Sequence, residues 1–299
     1  MVCAVPGVVY MLAAMLSVQF GGAFAATLIP EIGPLGTVAL RLTIATIILI
    51  PFARPGLHDR RTGRRHSRGD WIRVVAFAVT LGVMNTSFYF SLRTLPIGVA
   101  VTIEFIGPMT MAALGSRTWR DSLAVLLAAA GVVGVSGALN ADWSQVSLPG
   151  IGFALGAGVA WALYAKASQA VGARWESLRG LTWAMIICSV VILPFGIASA
   201  GAELLRPRHL LVGAAVALMS SALPYSLEMY ALRKLSTKAY GILTGGEPAV
   251  AALAGLLVLS QGLHPLQIVG MVCVISASIL VLGHEHHDRS GRAAVAASD

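Results

Sequence analysis

The chain has 299 residues, 57% of them hydrophobic and only 11% charged, with a mean hydropathy of +0.80. An ordinary soluble domain carries about 25% charged residues, so this composition excludes a water-soluble protein and places the chain in a bilayer. The net charge of +8 does not read as a nucleic-acid surface, because the basic residues are spread over short connections and form no single foldable face.

A membrane-spanning helix needs roughly 20 mostly apolar residues. Ten such stretches follow one another, near residues 6–28, 32–53, 71–92, 95–115, 122–139, 150–169, 180–200, 209–230, 239–260 and 263–283. The first runs through "FGGAFAATL" straight into the second, which reads as a retained helix and not a cleavable signal. The polar connection 54–70 and the tail after Gly283 are too short to fold alone, so any function lies between the helices. With the N-terminus inside, sixteen Lys and Arg residues fall on the cytosolic side. Only Arg93, Arg206 and Arg208 fall on the other, and Arg41 and Lys166 lie within spans. That asymmetry puts both termini in the cytosol.

Four acidic or basic residues sit well inside spans: Arg41 in the second, Glu104 in the fourth, Glu228 toward the cytosolic end of the eighth and Glu247 in the ninth. Each mid-span charge costs about 2.5 to 3.5 kcal/mol on insertion scales, which argues for a shared polar path. Lys166 and Glu228 lie near enough to helix ends to read as snorkelling side chains. For Glu104 and Glu247 two readings stand: groups that hold substrate or protons, or a buried pair with Arg41 that only fixes helix packing.

Prolines sharpen the first reading. Pro108 and Pro248 lack an N–H, so they are expected to free the carbonyls of Glu104 and Thr244, four residues earlier. Gln19, Asn85, Tyr89, Trp161, Tyr164, Tyr225, Tyr230 and Tyr240 are the polar and aromatic residues placed to complete a lining. Small-residue runs such as "LGAGVAWA" read as close helix contacts.

Neither a metal nor an organic cofactor is expected. Cys3, Cys188 and Cys273 stand singly without ligand spacing and read as small apolar fillers. The histidines of the tail "HEHHDR" read as a solvated terminus. No nucleophile set, phosphate loop or paired-Cys zinc spacing occurs, so the chain reads as a non-enzyme.

Shifting the sequence by 140 positions lays "LRTL" (92–95) on "LRKL" (232–235) and Pro108 on Pro248. This divides the chain into a first five-helix half, 1–142, and a second, 143–299. An odd number of spans per half turns the second upside down relative to the first, an arrangement that places substrate near the midplane.

Five ordered motifs carry a resemblance along nearly the whole chain: "SVQFGGAFAATLIPEIGPLGTVALRL" from Ser17, "VAVTIEFIGP" from Val99, "WALYAKASQAVGA" from Trp161, "SSALPYSLEMYALRKL" from Ser220 and "EPAVAALAGLLVLSQGL" from Glu247. With these the chain resembles EamA-type members of the drug/metabolite transporter superfamily, and more narrowly their threonine/homoserine exporter branch. The resemblance implies a bacterial inner-membrane protein, all-α, with ten transmembrane helices as two inverted five-helix repeats. It also implies proton-linked or gradient-driven export of small metabolites such as amino acids. A broader drug or metabolite exporter, a channel and a membrane-embedded enzyme are the alternatives.

Overall fold

The computed structural model describes residues 4–58, 63, 65–95, 97–115, 119–136, 148–176, 178–235, 239–240, 243–259, 264–266, 268–277 and 280. The architecture is all-helical. The helices are α1 (Ala4–Ala26), α2 (Ile29–Ala53), α3 (Arg68–Ser91), α4 (Ile97–Gly115), α5 (Trp119–Ser136), α6 (Leu148–Gly172) and α7 (Arg179–Ala200). They continue with α8 (Pro207–Leu232), α9 (Glu247–Leu259) and α10 (Ile268–Ala277). Over the described residues, α1 to α3 and α6 to α8 are six helices long and apolar enough to cross a membrane, while α5, α9 and α10 contribute shorter apolar stretches. Among the described residues there is no strand, only an isolated bridge between His58 and Arg65. Cys3 and the histidine-bearing tail lie outside the described residues.

Local sequence sets several helix ends. Ser67 and Asp70 form a reciprocal cap on α3: the Asp70 N–H donates to Ser67 Oγ and the Ser67 N–H donates to the Asp70 carboxylate. Helix α2 begins earlier than its apolar run suggests, because Pro30 suits a first turn. It then kinks at Gly33, whose φ of 70° is open to glycine, followed by Pro34, which has no N–H to donate. It ends at Arg54 in the left-handed region. In α8 the winding loosens into a π turn over Leu218–Ala222, where the Leu223 N–H reaches back to the Leu218 carbonyl, just before Pro224 withholds a donor.

The outer surface is apolar: Ile47, Phe52, Ile72, Val79, Val159 and Val190 are each more than half exposed. In lipid, burying such groups against one another yields little net gain, so helix association rests on close packing and polar links. Helix α3 packs along α6, α2 along α7, α4 along α6, and α1 along the second half of α8 and α9. Small residues make this possible. Gly196 lies against Ala39 and Gly213 against Leu40, with no room for a Cβ between them. At the α4–α6 crossing the backbones themselves touch: a Cβ on Gly107 would overlap the Gly158 carbonyl, and one on Gly158 would sit 2.4 Å from the Glu104 carbonyl oxygen.

The two ends of the bundle are tied differently. At one, the His66 ring stacks on Trp175 at 3.7 Å, and Trp71 meets Trp175 and Trp183 edge-on at 5.3 and 5.1 Å. At the other, Glu31 bridges α2 to α8 through Arg208 at 2.9 Å and the buried His209 at 2.8 Å.

Candidate functional site

The polar residues that sequence placed inside spans converge. Helix α2 carries Arg41, α3 carries Asn85 and Tyr89, and α8 carries Tyr225; all four are buried. The Arg41 guanidinium donates to Tyr89 Oη at 2.8 Å, to Tyr225 Oη at 2.7 Å and to the Asn85 side-chain carbonyl. Its charged carbon also lies 5.3 Å from the Tyr89 ring centre. Tyr225 passes its own hydrogen to Asn85 Oδ1 at 3.0 Å, and Asn85 is held by donating to the Leu81 carbonyl. Every partner of the guanidinium is therefore neutral. Its Nε is buried without a partner, and among the described residues no carboxylate pairs with it. Arg41 thus makes no direct ion pair with Glu104 or Glu247 among the described residues; tyrosine and asparagine oxygens hold its guanidinium.

The three carboxylates form the other side of the cluster. Glu104, Glu228 and Glu247 are 9%, 7% and 8% exposed. Glu247 accepts from Gln19 Nε2 at 3.0 Å and lies within electrostatic reach of both Glu228 and Glu104. Glu104 in turn lies within reach of Arg41 and has no hydrogen-bond partner among the described residues. Glu228, which its position along the span predicts to snorkel, is instead buried and held by Tyr164 Oη at 2.7 Å and, more loosely, by Tyr240 Oη at 3.5 Å. Trp161 Nε1 completes the chain by donating to Tyr240 at 3.1 Å. Sequence reasoning missed Glu228 by measuring its distance to the end of the span. Its spacing of three residues from Tyr225 puts it on the same helix face, and that was the available signal. Tyr230 lies elsewhere, ring to ring with Tyr10 at 6.2 Å and under Arg233.

The backbone around the prolines also differs from expectation on one side. The Thr244 carbonyl is not left open by Pro248: Thr244–Gly246 tightens into a 3₁₀ turn, and the Glu247 N–H donates to that carbonyl. The Glu104 carbonyl, beside Pro108, instead abuts the bare Cα surface of Gly158. Thr244 itself is buried.

Chemically, one guanidinium with neutral partners and three carboxylates within one buried cluster leave a surplus of negative charge if all are ionised. Such a cluster is suited to a cationic group or protons at the acidic side and to an anionic group at Arg41. No cluster of metal-ligating side chains occurs among the described residues.

The hydrogen bonds Gln19 to Glu247, Arg41 to Tyr225 and Tyr225 to Asn85 all join the earlier part of the chain to the later. The EamA-like transporter family matches the chain twice, over residues 5–140 and 148–283, and these bonds link one match to the other. The threonine/homoserine exporter RhtA of Escherichia coli K12 is 38% identical over 272 residues, covering 91% of this chain and 90% of its own. RhtA of Salmonella typhimurium LT2 is likewise 38% identical over the same length. A WAT1-related chloroplastic protein of Arabidopsis thaliana is 26% identical over 87% of this chain and 65% of its own. A solved structure described only as the crystal structure of a protein superposes with a TM-score of 0.71 at 14% identity, over 91% of this chain and 96% of its own, a likeness of fold alone. Two matches that between them take in nearly every helix, on either side of one buried polar cluster, make this chain a member of the EamA-like transporter family.

Proposed function

We propose that the protein is a secondary transporter of the bacterial inner membrane that exports amino acids such as threonine and homoserine, coupled to protons. Ten spans arranged as two inverted five-helix halves, 1–142 and 143–299, with both termini in the cytosol, complete the reading. The twofold family match, the relatives named for threonine and homoserine export and the one-sided distribution of basic residues support it. A carrier working through a buried binding cluster needs no reacting group of its own, so the protein is read as a transporter and not an enzyme.

The observation that carries the site assignment is the asymmetry within the cluster. Arg41 is tethered by neutral groups only, while Glu104 has no hydrogen-bond partner among the described residues. A zwitterion brings what each lacks: a carboxylate for the guanidinium and an ammonium for the carboxylate. Glu247 with Gln19, and Glu228 with Tyr164, flank this pair. With substrate absent, a proton takes the place of the ammonium on Glu104. Exchange of the two on one group couples their fluxes in opposite directions.

Reconstituted vesicles test this with labelled threonine. Wild-type protein should show saturable counterflow and accumulate threonine against an imposed proton gradient. Glu104→Gln should still exchange substrate but no longer concentrate it, and Arg41→Met should lose both. If Glu104→Gln drove uphill transport at the wild-type rate, the coupling assignment would fall. Non-saturating flux would point to a channel.

A further inference from the structure

Away from the central cluster, α4 and α6 enclose a cleft of about 240 Å³ that opens on the lipid-facing surface. Its walls are Ile103, Ile106 and Thr110 from α4 and Leu155, Val159 and Leu163 from α6. Ile106, Val159 and Leu163 are about half exposed or more. The cleft exists because the backbones meet at Gly107 and Gly158: two helices touching without side chains at the crossing leave a furrow beside it. The Thr110 hydroxyl donates to the Ile106 carbonyl of its own helix at 2.8 Å, so the walls present no unsatisfied polar group to a dissolved solute. A hydrocarbon chain fits this lining.

One end of the cleft is different. Lys166 lines it and is exposed, with no ion pair or hydrogen bond among the described residues. It stands six residues before Gly172, the last residue of α6, or about 9 Å at 1.5 Å per residue. An extended lysine stem covers much of that distance toward the headgroup level, and a phosphate drawn to the ammonium closes the rest. The side of the membrane follows from α5, the next helix after the end of α4. Trp119 at its start is 71% exposed, with the Arg120 guanidinium 5.6 Å from its ring, a pair suited to the bilayer–water boundary. By the sixteen-to-three distribution of basic residues that boundary is the cytosolic one, where anionic lipids create a negative surface.

We propose that this cleft binds an anionic phospholipid of the cytosolic leaflet, one acyl chain lying between α4 and α6 and the headgroup phosphate resting on Lys166. The assignment is independent of the transported substrate. Gly107 of that crossing lines the cleft, so a bound chain would lie against α4 beside the point where it meets α6.

Native mass spectrometry of the purified full chain, with phosphatidylglycerol and phosphatidylcholine of matched chains offered in competition, provides the test. Wild-type protein should retain phosphatidylglycerol about fivefold over phosphatidylcholine, the weight of one lysine beside an anionic surface. Lys166→Arg should keep that ratio and Lys166→Met should bring it to unity. Val159→Trp, which fills the cleft, should lower retention of both lipids. Equal retention of the two lipids by wild type, an unchanged ratio in Lys166→Met, or a dimer whose cross-linking through position 159 shuts both lipids out would each overturn the proposal.

Discussion

Gly158→Ala is the sharpest perturbation available at the α4–α6 crossing. The new Cβ would stand 2.4 Å from the Glu104 carbonyl oxygen, 3.1 Å from its carbon and 3.3 Å from its Cα. All three are backbone atoms and cannot rotate aside, so the helices must part by about 1 Å to reach ordinary contact. Overpacking of this kind costs about 1 to 3 kcal/mol. Against it stands the gain from replacing a helical glycine, at most about 1 kcal/mol. Gly152→Ala isolates that gain, since nothing lies within 4 Å of a Cβ there on the same helix. In detergent, Gly152→Ala should melt at or slightly above wild type, and Gly158→Ala several degrees below it, at roughly 2 to 4 °C per kcal/mol for a chain of this general size. Export by Gly158→Ala should fall as well, because the displaced backbone carries Glu104. If the two variants melted together and transported alike, the backbone contact would not exist.

Glu247→Gln keeps an acceptor for the Gln19 amide and removes only the charge; the protein should fold normally and lose threonine export, and a wild-type rate of transport in the variant would remove Glu247 from the site. Tyr225→Phe deletes the oxygen that accepts from Arg41 and the hydrogen given to Asn85. It should cost about 1.5 to 3 kcal/mol, as for other hydrogen bonds to charged groups, read as a drop in thermal stability; an unchanged melting temperature would show Arg41 to be held without it. Reporters fused after Gly283 and within residues 60–68 should both report the cytosol, and a periplasmic signal from either would overturn the ten-span topology.

The membrane class was legible because 18-residue apolar windows depend on composition, and tertiary packing does not alter them. The cluster was legible for a related reason: a charge inside a span has few tolerable positions, so Arg41, Glu104 and Glu247 could be singled out without knowing the helix order. Partner choice was not legible. Arg41 can meet Tyr225 only if α2 and α8 are neighbours, a property of three-dimensional arrangement that no spacing encodes. Glu228 was misjudged because depth along a helix says nothing of the direction in which a side chain leaves it. The Thr244 carbonyl was misjudged because a proline removes one donor but leaves the chain free to tighten and supply another.

The π turn in α8 has a consequence for chain length. An ordinary helix advances about 100° per residue, and the wide turn over Leu218–Ala222 accommodates one residue more than regular winding would. Tyr225 and Glu228 lie beyond it, so their azimuth is set by that surplus residue. Removing one residue within Leu218–Ala222 would take up the surplus and leave their azimuth unchanged. Were α8 instead to wind regularly with every residue kept, both side chains would swing about 100° around its axis. The tyrosine would leave Arg41 and the glutamate would leave Tyr164, though no residue touching either had changed. The phase of one helix thus depends on residue count and winding together, and the cluster tolerates only matched values of the two.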